Sequence, residues 1–130
     1  MIYPKDFDPA DPKTMQVDLP YPHKVLWPNG RTRNEAYKRR LQKLHKTWAF
    51  EAAGCGTKRF PDATGAKIKL IVSPMPKGPP PDKDNCISAV KYYLDGISAA
   101  IGINDRFFSE PEVVFAERKQ YGNMLIEVTI

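Results

Sequence analysis

Three consecutive prolines, Pro79–Pro81, constrain this chain more than any other feature. Proline fixes φ and donates no backbone hydrogen bond, so the run cannot lie inside a helix or a central strand. The chain therefore enters the next element extended, through Asp82-Lys83-Asp84-Asn85. Beyond it Ile87, Val90, Leu94, Ile97 and Ile101 recur at helical spacing, which predicts one long helix with a single apolar stripe. Asp84, Ser88, Lys91 and Asp95 fall on a second stripe, roughly 110° round from the first. Folding does not require two carboxylates and a lysine gathered along the flank of a core helix. Gly102 suits the C-terminal stop, since the left-handed conformation costs glycine nothing, and Asp105 follows in a turn that can fold back.

The rest of the chain supplies a partner for that helix. Thr32-Arg33-Asn34-Glu35 has the spacing of a capping box, with Thr32 as the predicted N-cap. Tyr37, Leu41, Leu44, Trp48 and Ala52 then form a predicted apolar stripe, and Gly54 ends the helix. Met15–Leu19 and Ala66–Ser73 read as strands, Gly54–Gly65 as a loop, and Val113–Lys119 and Met124–Ile130 as two strands joined in a hairpin at Gln120–Asn123. Residues 1–14, with Pro4, Pro9 and Pro12, read as an extended or flexible arm before a single domain over 15–130. The order β-α-β-α-β-β predicts a two-layer α/β (α+β) fold, a mixed sheet with two helices packed on one face. Asp82 and Asp84 then lie where the chain leaves a strand for a helix, a frequent place for ligand sites.

Charge separates the two halves. Residues 1–60 carry 12 Lys+Arg against 6 Asp+Glu, and residues 61–130 carry 8 against 9, which together give the net +5. Such a division suits a surface that attracts a polyanion beside a site that holds a cation, although small domains often scatter charge as unevenly. Arg31, Lys38, Arg39, Arg40, Lys43 and Lys46 are the candidate phosphate contacts; each alone equally suits a solvated helix. The two cysteines, Cys55 and Cys86, have no zinc or redox spacing, and the two histidines argue against a histidine-rich metal site. With no membrane-length apolar run and no signal-peptide pattern, the expectation is a cytoplasmic protein without a membrane partner or an organic cofactor.

Asp82, Asp84 and Asp105 are the candidate ligands of a hard divalent cation, which takes a few carboxylates plus water. Individually, Asp84 also suits helix capping and Asp82 a turn. The combination is more specific. Asp82-Lys83-Asp84-Asn85, the helix carrying Lys91 and Leu94-Asp95-Gly96-Ile97, and Ile103-Asn104-Asp105-Arg106 resemble the signature of the RusA family of crossover junction endodeoxyribonucleases. Leu19-Pro20-Tyr21-Pro22 before a basic helix is similar too.

The resemblance implies a Mg²⁺- or Mn²⁺-dependent homodimer, frequent in prophages, that resolves Holliday junctions by paired phosphodiester hydrolysis in DNA recombination and repair. Its partner would be a four-way junction or other branched DNA. It also implies that Asp82, Asp84 and Asp105 are catalytic and metal-binding residues and that Lys91 is the basic helper. Asn85, Ser88 and Asp95 are secondary candidates. Ser88 stands where the family's lysine usually is, and Lys91 lies one turn further on, displaced by roughly 4.5 Å along the axis. Asn104-Asp105 replaces two acidic residues. The alternative is a non-catalytic DNA-binding or phage assembly protein that retains the fold.

Overall fold

The computed structural model describes residues 14–130, so the predicted arm lies outside the described residues except for Thr14, which opens the first strand. The elements are β1 (Thr14–Leu19), α1 (Glu35–Ala52), β2 (Lys67–Ser73), α2 (Lys83–Ala89), α3 (Lys91–Ile101), β3 (Glu112–Phe115) and β4 (Asn123–Thr129). They form an α+β fold in two layers, a mixed four-stranded sheet in the order β1-β4-β2-β3 with helices against one face.

The sheet order corrects the predicted hairpin. β4 runs antiparallel to both β1 and β2, while β3 pairs parallel with the far edge of β2. Burial gives the reason. Met124, Ile126 and Val128 of β4 are wholly buried, which suits a central strand, whereas β3 buries only Val113 and leaves Val114 and Phe115 at the edge. Residues 116–119, predicted as strand, are irregular, because Ala116-Glu117-Arg118-Lys119 has no second apolar residue to bury.

α1 also departs from its prediction. The N-cap is Asn34, whose Oδ1 accepts from the Tyr37 N–H at 3.0 Å, and Thr32 instead accepts from the Asn34 N–H at 3.2 Å. Leu41, His45 and Ala49 face the core, while Tyr37, Leu44 and Ala52 are exposed. His45 replaces Leu44 on the buried face because both ring nitrogens are satisfied there. Nε2 accepts from the His23 N–H at 3.0 Å, so Nδ1 carries the proton and donates to the Leu41 carbonyl at 2.7 Å. Burial holds this imidazole below its usual pKa, which keeps it neutral.

The predicted single core helix is two. Val90 sits between them at φ −96°, ψ 7°, wholly buried, donating to the Cys86 carbonyl and accepting from the Leu94 N–H. The break lets α2 lie against β3 while α3 packs on α1. Gly102 ends α3 at φ 78°, as its position predicts. The α1–α3 crossing depends on Gly96: a Cβ there would run into the Lys46 carbonyl and come within 2.9 Å of the Ala49 Cβ. That close approach brings the middle of α1 beside the polar flank of α3.

Candidate functional site

After β2 the prolines lead the chain to Asp82, which occupies the N-cap position of α2. Its carbonyl accepts from the Cys86 N–H at 3.0 Å, but its carboxylate caps nothing. Asp84 follows in the first turn, where the helix dipole favours a negative charge, and both side chains are exposed. Neither carboxylate is used up in holding the helix start.

Asp84 and Ser88 are one turn apart on α2, and Lys91 and Asp95 one turn apart on α3, so the predicted polar flank continues across the break at Val90. A cavity of about 400 Å³ opens beside it. Ser88, Lys91 and Asp105 supply its polar groups, and Ile87, Leu94 and Phe108 its apolar wall. Asp105 reaches this place through a built turn. Gly102 redirects the chain, the Ser98 hydroxyl donates to the Ile103 carbonyl at 2.6 Å, and Asn104 Oδ1 accepts from the Arg106 N–H at 3.1 Å. A one-turn 3₁₀ helix, Asp105–Phe107, then presents Asp105 toward α3.

The turn sets Asp105 against Asp95. Burial raises the Asp95 pKa first; a side-chain hydrogen bond with Asp105 and the Asp105 charge raise it further, while Lys91 and Lys46 pull it down. In its acid form Asp95 donates to the Asp105 carboxylate, and in its ionised form the two repel. Lys46 reaches this pair because α1 approaches α3 so closely at Gly96. The site thus sets two carboxylates against each other, with the charges of Lys91 and Lys46 acting on Asp95. Lys91 Nζ also lies 5.7 Å from the Tyr92 ring centroid.

Several sequence-predicted residues do not join it. Among the described residues, no three His, Cys, Asp or Glu side chains come together as a ready metal shell, so Asp82, Asp84 and Asp105 are not one cluster. Asp82 acts electrostatically on Cys86, whose thiol burial, and then that charge, push up to about 11. Asn85 lines a different cavity, beside Tyr21 and Trp27. As a donor set, the Asp95–Asp105 pair fits a hard divalent cation, because one or two carboxylates with water and phosphate oxygens suffice for Mg²⁺.

On α1, Arg39, Arg40 and Lys43 are exposed on the side away from Leu41 and Ala49, while Lys46 flanks the carboxylate pair. Lys38 and Arg31 lie apart in a cleft shared with Arg33, which the sequence reading passed over although it stands two residues from Arg31. Phe107 is half exposed, with the Arg106 guanidinium 4.7 Å from its ring centroid, and Phe108 packs on the core. No helix among the described residues is long and apolar enough to cross a membrane.

No family model matches the chain. An uncharacterized protein of Xylella fastidiosa (strain Temecula1) is 30% identical over 122 residues, which span 92% of this chain and 80% of that relative. The chain belongs to the family of that protein.

Proposed function

We propose that the chain is a RusA-like, metal-assisted endodeoxyribonuclease that cuts four-way or otherwise branched DNA. The observation that carries the reading is the Asp95–Asp105 pair, with Lys91 and Lys46 acting on Asp95 and Lys46 brought there by the close approach of the basic helix at Gly96. A carboxylate pair, half-buried at Asp95 and exposed at Asp105, would repel DNA on a neighbouring phosphate-binding surface unless a cation lay between them.

Asp105 and Asp95 would hold the cation, and Asp82 and Asp84, the ligands implied by the resemblance, stand at the head of the adjoining helix. Bound Mg²⁺ or Mn²⁺ supplies water activation and charge neutralisation at the phosphate. The chain's own groups do the rest. Lys91 places a positive charge where the leaving oxygen gains negative charge, and the Ser88 hydroxyl can donate to a phosphate oxygen. Ile87, Leu94 and Phe108 exclude water from one side, which strengthens both contacts. Arg39, Arg40 and Lys43 neutralise flanking phosphates.

Paired nicking requires two such sites related by a two-fold axis, hence a homodimer. The half-exposed Phe107 is the first place to look for its interface. A non-catalytic DNA-binding or phage-assembly role is favoured by one observation, the failure of Asp82, Asp84 and Asp105 to gather. Cleavage of a synthetic four-way junction as Mg²⁺ is titrated separates the readings. Strand-paired products support the nuclease, and tight binding with no product at any Mg²⁺ or Mn²⁺ concentration supports the alternative.

A further inference from the structure

At the head of α2 lies a second cavity, of about 280 Å³, that the proposed reaction does not use. Its wall is aromatic. Tyr21 and Trp27 lie with ring centroids 5.1 Å apart at 31°, and both rings are held in place. The Trp27 indole N–H donates to the Pro22 carbonyl at 3.0 Å, and the Tyr21 ring covers Gly122 so tightly that a Cβ there would come within 2.7 Å of it. Two carboxamides, Asn29 and Asn85, stand at the rim beside Met75 and Lys24. Among the described residues neither carboxamide makes a hydrogen bond. A fixed aromatic face with two free donor–acceptor groups is the chemistry that receives one nucleobase: the ring stacks and the amides meet its polar edge. The volume sits just below the roughly 300–1,000 Å³ of pockets that enclose drug-sized ligands, which suits a single flat heteroaromatic ring.

A cationic cleft adjoins this cavity across one turn. The turn Pro28-Asn29-Gly30 gives Asn29 to the aromatic cavity and Pro28 and Gly30 to the cleft. The turn is tight, with the Gly30 N–H donating to the Trp27 carbonyl at 2.8 Å, and a Cβ on Gly30 would collide with the Lys24 carbonyl. The cleft collects Arg31, Arg33 and Lys38, and no carboxylate lines it. Three cations on a concave surface suit a phosphate.

We infer that the aromatic cavity and the cationic cleft form one site for an unpaired nucleotide within a DNA strand, the base entering beside Trp27 and the backbone phosphate lying on Arg31, Arg33 and Lys38. A base in a duplex cannot leave its partner at no cost, so the site selects strands whose bases are already unpaired. Pro81 and Asn85 line the cavity and bracket Asp82 and Asp84, so the seated base would lie close to the carboxylates at the head of α2. The choice of DNA over other nucleotide ligands rests on the nuclease reading above; the pocket chemistry does not.

The test uses the full chain in EDTA, two fluorescently labelled hexamers of equal charge, and anisotropy with tryptophan emission as readouts. One hexamer is oligothymidine and the other carries abasic sugars throughout. The expected result is at least tenfold tighter binding of the base-bearing strand, with quenched tryptophan emission. In Asn29→Ala/Asn85→Ala that preference falls below threefold while the abasic affinity stays unchanged; Arg31→Ala/Arg33→Ala weakens both strands alike, about tenfold. Equal affinity for the two hexamers, or a preference untouched in the Asn29/Asn85 variant, overturns the inference. Displacement by thymidine 5′-monophosphate at equal nucleotide concentration overturns it in favour of a free-nucleotide site. Junction cleavage with Mg²⁺, measured on the same preparations, keeps the two readings apart. Base preference without cleavage leaves this site standing and removes the nuclease, and cleavage without base preference does the reverse.

Discussion

Two polar clusters lie within a few residues of each other on α3, and they are built on opposite terms. Around Tyr93 every polar atom is spoken for: its hydroxyl donates to the Pro20 carbonyl at 2.7 Å, and its ring stacks on His45 at 5.1 Å, whose two nitrogens are both bonded. No buried side-chain nitrogen or oxygen among the described residues lacks a partner. Two positions further on, Asp95 meets another carboxylate instead of a cation-only shell. The first arrangement fixes the α1–α3 packing, and the second leaves an unresolved repulsion at the edge of a cavity. Sequences tolerate such local conflict mainly where function needs it.

The contrast is broken most severely by removing the repulsion. Asp105→Asn and Asp95→Asn should each lower junction cleavage by about a hundredfold or more, as losses of groups acting on the transition state do, while junction binding persists. Asp95→Asn should also be more heat-stable than the parent at neutral pH. A carboxyl whose folded pKa is raised favours folding below its unfolded pKa and loses that contribution as pH rises through the folded value. The Tm advantage of the variant should therefore grow between pH 4 and pH 7.5. A variant that is less stable at both values would mean that Asp95 serves the fold.

The closed cluster should respond to volume. Gly96→Ala places a methyl against the Lys46 carbonyl and the Ala49 Cβ, and overpacking of this kind costs about 1–3 kcal/mol. Denaturant unfolding measures it, and because Lys46 moves with α1, cleavage should fall as well. A smaller effect distinguishes His45. Its folded pKa is depressed, so its contribution is complete above about pH 6.5, the free imidazole value, and is lost as pH falls through the folded value. His45→Phe should flatten that part of the stability profile, at a cost of about 1–3 kcal/mol for the orphaned His23 N–H. The smallest effect belongs to the solvated face: Arg39→Ala/Arg40→Ala/Lys43→Ala should reduce the slope of log affinity against log salt by at most about three. An unchanged slope would assign these three residues to solvent alone.

The sequence made some of this legible because the cues were local. Proline geometry, the αL tolerance of Gly102 and the 3.6-residue period placed the helical stretch and its flank from Asp84 to Asp95 with no knowledge of tertiary contacts, but not the break at Val90 that divides it into α2 and α3. What stayed hidden depended on contacts distant in sequence. The direction of the chain after Gly102, which sets Asp105 against Asp95, has no periodic signature, and Lys46 reaches that pair only through the Gly96 crossing. His45 was passed over because a polar residue scores against a core face, although a neutral imidazole with both nitrogens bonded buries readily. β3 and β4 looked like a hairpin because adjacency in sequence is the default, and only the complete burial of alternate β4 residues marks that strand as central.

The central claim is that the unresolved carboxylate pair is a cation site serving phosphodiester hydrolysis. Its most direct test is cleavage of a four-way junction beside a linear duplex of matched sequence, with Mg²⁺ titrated and Asp105→Asn run in parallel. Paired nicks in the junction should rise with Mg²⁺, the duplex should be cut little, and the variant should lose product with binding intact. Product formed equally from both substrates, or by Asp105→Asn at the parent's rate, would contradict it.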